Sequence, residues 1–512
     1  MRSSVKLLLG VFCLLGILAV IYATAWGIGL SPDSVSYIAG ARGIVAGAGF
    51  SSPSWDGSPV YITHHAPLYS AVLTFGGFVG LDPLQLAPWV NALLFALNIG
   101  LVGYLVGAPL GTKKLSAPFF VLICAWLILV SRTILEIHSM AWTEPLFIAL
   151  SLASIIFLGG FIEHQQVREM IFAGVCTALA CLTRYVGIVL IFSGLIAILL
   201  FSKSNLKQKI STIGIYSLVS ALPLMIWLVR NWALAGSATN RAIAFHPPGM
   251  DQIRLGLSTL AGWLLVPDLA PGIIKLTMIV LVAGIVAYLS IKRSRFNKEG
   301  LPITFKILTL FLLFYLGFLI FSISFLDANT PLDGRLLSPV LVVGLCLIFS
   351  SLGWAYRIFS HRAVRVILVT GGILLALAYL PGGLEFIRNA HAEGLGFNNR
   401  MWNDSETIHL AQDLPAGIPI YSNLPDAVYI HAQHPAQRLP SRVSSVLQAE
   451  NSKYSAQMDQ IRNDLRYHSG IIVYFDAVSH SNYPSKSELL DELGSLSVEQ
   501  VADGALLSLN LR

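Results

Sequence analysis

The sequence predicts a polytopic α-helical membrane protein with a C-terminal soluble α/β domain. Its 512 residues are 55% hydrophobic and only 12% charged, whereas a soluble globular protein carries roughly 25% charged residues. Apolar runs of about 20 residues recur along the chain, and each is long enough to cross about 30 Å of hydrocarbon. After residue 385 the composition becomes polar, which predicts the soluble domain.

The apolar runs divide into about eleven transmembrane helices. We place them near residues 7–30, 84–109, 115–133, 141–162, 169–183, 185–202, 210–230, 271–291, 303–326, 336–356 and 364–384. The run 169–202 is divided because it is too long for one crossing and Thr183-Arg184-Tyr185 interrupts it. The first run also resembles a signal peptide, with Ala23-Thr24-Ala25 as the cleavage site, but its length favours a retained span.

The charges of the loops predict the orientation of the chain. With a cytoplasmic N-terminus, alternate short loops are basic, as the positive-inside rule requires; they hold Lys113, Lys114, Arg168, Lys203, Lys207, Lys209, Lys292, Arg293, Arg295, Lys298, Arg357, Arg362 and Arg365. The opposite loops hold most of the acids. We therefore expect a multi-pass protein of the cell inner (plasma) membrane with its C-terminal domain outside the cytoplasm.

Residues 1–385 then form a transmembrane module and residues 386–512 an extracytoplasmic α/β domain. The first outer loop, 31–83, carries two interfacial helices, near 34–47 and 66–81, because neither is long enough to cross. In the domain, "GIPIYSN", "AVYIHAQ" and "GIIVYFD" predict strands, and residues near 403–413, 454–468 and 485–494 predict helices.

Several function classes are excluded by composition. The net charge is +6, but the cations lie in loops between spans, so we expect no nucleic-acid partner. All five cysteines lie in apolar segments, so no disulfide framework is predicted. The absence of a P-loop argues against ATP-driven transport within this chain.

Ionisable residues gather at span ends on the predicted outer face. Asp33 follows the first span, Glu144 opens the span in "MAWTEPLF", and Arg184 interrupts "ALACLTRYVGIVLI". Arg241 lies beyond the span that ends at Arg230, and Arg335 opens a later one. A carboxylate can act as a general base, and a guanidinium can hold a phosphate through two hydrogen bonds.

These motifs resemble the GT-C superfamily of membrane glycosyltransferases. The similarity is to bacterial protein O-mannosyltransferase and aminoarabinose lipid A transferase proteins (glycosyltransferase families 39 and 83). It covers the first-loop acid, the segment "THHAPLYSAVLTFGGFVGLDPLQLAPWVNALL", and then "WTEPLFIAL", "CLTRYVG" and "RLLSPV", in order over about residues 7–356. Here Ser34 and His64-His65 replace an acid and a basic residue of many relatives.

The resemblance implies a glycosyltransferase that moves a sugar from a polyprenyl-phosphate donor to an extracytoplasmic lipid, glycan or protein. It implies that Asp33 is the general base and that Glu144 is a second catalytic acid. It places Arg184, Arg241 and Arg335 on the donor phosphate, and Tyr37, His64, His65 and Tyr185 at the substrate. One-sided displacement predicts inversion at the sugar. A divalent metal held by His64, His65 and the acids stays open, as do the sugar and acceptor.

Other interpretations remain at this stage. The chain could be a carrier or flippase for lipid-linked saccharides, or a glycan polymerase or ligase. Individually, Asp33 could cap the helix that starts at Ser34, and Arg335 could pair with Asp333 or Asp327.

Overall fold

A computed structural model describes residues 3–110, 116–240, 243, 245–296, 300–327, 329–443, 450–477, 483–494 and 496–509. The chain divides into two compact units. Unit 1 comprises Met1–Ala23, Thr63–Tyr69 and Ala87–Ala390, and unit 2 comprises Thr24–Ile62, Ser70–Leu86 and His391–Arg512. The predicted boundary between residues 385 and 386 stays a prediction.

Helices dominate the described residues. In chain order they are α1 (Ser3–Ala23), α2 (Pro32–Val45), α3 (Leu68–Leu73), α4 (Pro83–Leu110), α5 (Ser116–Val130), α6 (Arg132–Ser139), α7 (Glu144–His164), α8 (Val167–Thr183), α9 (Ile188–Phe201), α10 (Leu206–Ala235), α11 (Met250–Gly262), α12 (Gly272–Phe296), α13 (Ile303–Phe325), α14 (Gly334–Ile358), α15 (Arg362–Glu393), α16 (Glu406–Gln412), α17 (Pro425–Ala427), α18 (Tyr454–Tyr467) and α19 (Lys486–Leu493).

The described strands all belong to unit 2. They are β1 (Ser51–Pro53), β2 (Pro59–Tyr61), β3 (Ile420–Ser422), β4 (Ala436–Arg438), β5 (Ile471–Phe475), β6 (Ser497–Val501) and β7 (Gly504–Ser508). β1 and β2 form an antiparallel hairpin. The others form a mixed sheet in the order β4-β3-β5-β7-β6, in which β4, β3 and β5 are parallel and β7 runs antiparallel to its neighbours.

Membrane-spanning helices account for most of unit 1. Among the described residues, eight helices are long and apolar enough to cross a bilayer, namely α1, α4, α7, α10, α12, α13, α14 and α15, and the bent pair α5 and α6 would make a ninth. The predicted count of eleven is therefore not confirmed. The difference lies at 169–202, where the chain breaks at Arg184 and leaves two shorter helices, α8 and Tyr185–Phe201.

Both segments predicted to lie in the interface are helical: the first is α2, and the second is α3 followed by a 3-10 helix, Thr74–Val79. Their interfacial position stays a prediction. α2 begins after Ser31, whose Oγ accepts a hydrogen bond from the Ser34 backbone N–H. The cap is thus Ser31, and the interpretation of Asp33 as the cap is wrong. A Cβ on Gly43 would lie 2.3 Å from the carbonyl oxygen of Ser51, so this close approach of β1 to α2 requires glycine.

The C-terminal residues of unit 2 follow the predicted order with one exception. β3 and β5 occupy "GIPIYSN" and "GIIVYFD", and α16, α18 and α19 occupy the predicted helical stretches. "AVYIHAQ" was predicted as a strand, which is wrong, because Val428–Ala432 is a short π-helix after α17. Pro425 starts this helical turn at its first position, where proline is tolerated.

Candidate functional site

A buried carboxylate in unit 1 holds two arginines from distant parts of the chain. Arg184 Nη1 donates a hydrogen bond to Oε1 of Glu144, and Arg335 Nε donates to the same oxygen over 2.8 Å. The Glu144 side chain is only 1% exposed, while the two guanidiniums are partly exposed. Its other oxygen, Oε2, is buried without a hydrogen-bond partner among the described residues.

Three helix boundaries place these side chains. Glu144 is the first residue of α7, with Pro145 next to it, where a proline costs no helical hydrogen bond. Arg184 lies in extended backbone between α8 and the 3-10 turn Tyr185–Gly187. Arg335 lies in the first turn of α14, which Asp333 caps through the N–H of Leu336. All three charged side chains therefore come from the ends of helices or the break between two of them.

The residues before Glu144 complete the cluster. Arg335 Cζ lies 4.4 Å from the ring centroid of Trp142, a distance at which a cation is attracted to the ring face. Arg184 Nη1 also donates to Thr143 Oγ1 over 3.1 Å. Two guanidiniums against one carboxylate leave a surplus of one positive charge. The cluster is therefore suited to an anion such as a phosphate.

Two buried asparagines of α4 fix the backbone that leads into Glu144. Asn98 Nδ2 donates to Pro145 O over 3.0 Å and lies 3.1 Å from His138 Nε2. Because His138 Nδ1 lies 2.7 Å from the Ile134 carbonyl oxygen, Nδ1 carries the proton and Nε2 accepts from Asn98. Asn91 Nδ2 donates to Met140 O over 2.6 Å.

Tyr185 and the two histidines form a second group within unit 1. Tyr185 Oη donates to the carbonyl oxygen of His65 over 3.2 Å, and the rings of His64 and His65 lie 4.1 Å apart. Trp227 Nε1 donates to Tyr185 Oη over 3.2 Å. Asn231 Nδ2 donates to Thr63 O over 3.0 Å. Two residues of α10 thus help to fix the segment that carries the histidines. Trp227 acts through Tyr185, and Asn231 acts through Thr63.

The other predicted residues lie in unit 2 or outside the described residues. Asp33 lies in the first turn of α2. Tyr37, one helical turn later, is buried, and its carbonyl oxygen accepts a hydrogen bond from Ser70 Oγ over 2.8 Å. Arg241 lies outside the described residues.

Comparisons with known proteins agree with this architecture. Residues 64–227 match the family model described as dolichyl-phosphate-mannose-protein mannosyltransferase. ArnT from Cupriavidus metallidurans bound to undecaprenyl phosphate superimposes with a TM-score of 0.62 at 12% identity, over 98% of this chain and 97% of that chain. ArnT in the apo state gives a TM-score of 0.60 at 13% identity, with the same coverage.

The chain has the GT-C fold. The arabinofuranosyltransferase AftD from Mycobacteria also superimposes, with a TM-score of 0.55 at 13% identity, over 98% of this chain and 40% of that chain. No curated protein matches this sequence. The resemblance to GT-C proteins inferred from the motifs is thereby confirmed. Glu144 and Arg184 lie inside the segment that the family model matches, and Asp33 and Arg335 lie outside it.

Arg335 forms an ion pair with Glu144, a partner that the sequence did not indicate. The alternative in which Arg335 pairs with Asp333 or Asp327 stays open. Among the described residues, no group of three or more His, Cys, Asp or Glu side chains is placed to hold a metal ion. The roles of the individual residues remain predictions.

Sequence reasoning missed the residues that support the site. Asn91, Asn98 and His138 are each at most 1% exposed. The two asparagines hydrogen-bond to backbone carbonyls on either side of Glu144, and His138 accepts from Asn98. A buried polar residue in an apolar span is expensive, so the two asparagines inside the apolar run of α4, and His138 just before "MAWTEPLF", were a usable signal. Trp227 gave no such signal, because tryptophan is common at membrane interfaces.

Proposed function

We propose that this protein is a membrane glycosyltransferase that moves a sugar from a polyprenyl-phosphate donor to an acceptor outside the cytoplasm. The observation that carries this proposal is the Glu144 cluster, where Arg184 and Arg335 present a surplus positive charge at the ends of apolar helices. A lipid-linked phosphate is an anion that arrives from within the bilayer. The GT-C fold and the mannosyltransferase family model support the same reaction class.

In this proposal Arg184 and Arg335 bind the donor phosphate. As the bond between the sugar C1 and the phosphate oxygen breaks, the electron pair stays on that oxygen, and the guanidiniums stabilise the added negative charge. Glu144 contacts both cations, and we assign it a positioning role in addition to the catalytic role that the resemblance implies. With Oε1 occupied by two guanidiniums, it fixes where they point.

Asp33 is the proposed general base. The acceptor hydroxyl attacks C1 from the face opposite the phosphate and passes its proton to Asp33, so the configuration at C1 inverts. One general base contributes typically about 10²–10⁴-fold in rate. The proposal further places Tyr37, His64, His65 and Tyr185 at the substrate, and the C-terminal residues at the acceptor. It also places the chain in the inner membrane with its C-terminus outside the cytoplasm.

The test is a transfer assay with purified protein in lipid nanodiscs. Short-chain polyprenyl-phosphate sugars are supplied with a crude envelope acceptor fraction, and free polyprenyl phosphate is measured. We expect release of polyprenyl phosphate that depends on protein and acceptor, with no turnover of nucleotide sugars. Movement of intact donor between leaflets without release would instead show a carrier.

A further inference from the structure

A cavity of about 300 Å³ lies where α14 ends and α15 begins; it is lined by Tyr356, Arg362, Arg365, Val366, Val369 and Thr370. Tyr356 lies in the last turn of α14, whereas Arg335 of the Glu144 cluster lies in its first turn. At 1.5 Å per residue these two positions are about 30 Å apart, which is about the thickness of the hydrocarbon core. Because α14 is long and apolar enough to cross a bilayer, the cavity and the Glu144 cluster lie at opposite faces of the membrane.

Arg365 is held at the cavity by the end of α14. Its Nε donates to the carbonyl oxygen of Tyr356 over 3.2 Å and to that of Phe359 over 2.9 Å. Its Cζ lies 5.3 Å from the ring centroid of Tyr356, within the range of a cation–π contact. All the hydrogen bonds described for Arg365 therefore use Nε. The N–H groups of both Nη atoms remain available for an anion, and together they can hold two oxygens of a phosphate.

Two further cations lie around the same junction. Arg362 is the first residue of α15, is exposed and lines the cavity. Lys292 of α12 places Nζ 4.5 Å from the ring centroid of Phe359, the residue whose carbonyl oxygen accepts from Arg365. The ion pairs described in the structure involve none of these three cations. The junction therefore carries a surplus of positive charge.

The other side of the cavity is apolar and continues into a lipid-facing surface. α15 is long and apolar enough to cross a bilayer, and its side chains Val366, Ile367, Leu374 and Leu377 are exposed. Val366 also lines the cavity, together with Val369. Exposed apolar side chains on a membrane-spanning helix are expected to face the acyl chains. A molecule in the cavity could thus contact cations at one end and the bilayer interior at the other.

We propose that this cavity binds the phosphate headgroup of an anionic phospholipid of the bilayer. Basic pockets between membrane helices bind such headgroups because cations near the membrane surface attract them. The volume is at the lower end of the range of about 300–1,000 Å³ for small-molecule sites, so it accommodates a headgroup and leaves the acyl chains along α15. A free phosphate would use the cations but not the two valines. This site is separate from the proposed sugar transfer and does not depend on it.

The experiment titrates the purified full chain, in a neutral detergent, with phosphatidylglycerol and separately with phosphatidylcholine of the same chain length. Native mass spectrometry counts the lipid molecules that each protein molecule retains. We expect phosphatidylglycerol to be retained with an affinity at least about 10-fold higher than that of phosphatidylcholine. Inorganic phosphate, added as a competitor, should displace it only weakly, because it lacks the apolar part that contacts Val366 and Val369.

Three variants locate the bound lipid. Arg362→Gln combined with Arg365→Gln removes two cations of the cavity and should weaken phosphatidylglycerol binding about 5- to 30-fold. Lys203→Gln combined with Lys207→Gln, at exposed lysines of another basic loop, removes the same charge and should leave binding unchanged. Val366→Trp keeps every charge but fills the cavity from an exposed position. It should also weaken binding, and it tests the site even if the double arginine variant fails to fold.

Equal affinities of the wild type for the two lipids would overturn the inference. Wild-type binding by both cavity variants would do the same, because the lipid would then be held elsewhere, for example by the Glu144 cluster. An equal loss of binding in the lysine control would show general attraction to basic loops rather than a site. If inorganic phosphate displaces the lipid as effectively as added phosphatidylglycerol does, the cavity binds a free anion and its assignment to a phospholipid is wrong.

Discussion

Arg335 Nε lies 2.8 Å from Oε1 of Glu144, although 191 positions separate the two residues in the chain. The same carboxylate oxygen accepts from Arg184, 40 positions away in the chain. Removal of one partner from a buried ion pair leaves an uncompensated charge, which typically costs about 3–5 kcal/mol. The three side chains are therefore mutually dependent, and substitution of any one of them should affect the other two.

Glu144→Gln should destabilise the protein. The substitution keeps the size of the side chain but leaves two guanidiniums without their counter-ion, so we expect a loss of about 3 kcal/mol in the free energy of unfolding. Thermal unfolding in detergent, followed by tryptophan fluorescence, measures this effect. Glu163→Gln, at an exposed position near the end of the same helix, is the control. Equal unfolding temperatures for the two variants would contradict the account.

Arg335→Lys should weaken donor binding while the positive charge is kept. Lysine loses the planar group that lies over Trp142 and hydrogen-bonds to Glu144. A loss of about 1–2 kcal/mol corresponds to a roughly 5- to 30-fold weaker affinity for a polyprenyl-phosphate probe. Binding is measured by titration in nanodiscs, and Arg168→Lys, at an exposed arginine, serves as the control. A change confined to acceptor affinity would argue against a role at the phosphate.

Asn98→Leu should reduce donor binding through the backbone of the Glu144 segment. The variant loses the hydrogen bonds to Pro145 O and to His138, and each buried group left unpaired costs about 1–3 kcal/mol. We expect weaker binding of polyprenyl phosphate in addition to a lower unfolding temperature. If stability falls while the affinity of the folded fraction is unchanged, Asn98 supports the fold without orienting the cluster.

The ionised carboxylate of Asp503 makes the stability of unit 2 depend on pH in the acidic range. Burial acts to raise the pKa of Asp503, but hydrogen bonds from Ser405 and from the hydroxyl and N–H of Thr407 outweigh it and hold the pKa below its usual range. The stabilisation is fully present above the ordinary aspartate pKa of about 3.9 and is lost as the pH falls through the lower folded value.

Asp503→Asn should therefore increase hydrogen exchange in β7 at neutral pH, and its difference from wild type should shrink as the pH falls below about 3.9. Because the carboxylate is partly exposed, we expect a modest change of about 1 kcal/mol. Exchange measured by mass spectrometry on the intact protein checks this result, with exposed Asp491→Asn as the control. A difference that persists unchanged in acid would contradict the assignment.

Much of the fold could be predicted because hydrophobicity is a local property. Long apolar windows identified the helices α4, α7, α10 and α12 to within a few residues. The number of membrane spans in 169–202 was harder to predict. Whether α8 and Tyr185–Phe201 each cross the membrane depends on their tilt and packing. The strand prediction for "AVYIHAQ" was wrong because a short segment with alternating apolar residues is compatible with both a strand and a helical turn.

The sequence singled out individual charged residues of the candidate site but did not predict which of them contact one another. Charges at the ends of apolar spans singled out Glu144, Arg184 and Arg335 one by one. Which acid pairs with which arginine depends on how distant helices pack, and no local pattern encodes that arrangement. The hydrogen bonds of Asn98 were not visible for the same reason.

The most direct measurement is the release of polyprenyl phosphate by wild type and by Asp33→Asn under identical conditions. Asparagine keeps the size of the side chain but cannot accept a proton at neutral pH, so we expect the rate to fall by at least about 100-fold while binding of polyprenyl phosphate is retained. Asp56→Asn, at an exposed hairpin acid of the same loop, should be as active as wild type. Undiminished turnover by Asp33→Asn would contradict the proposed mechanism.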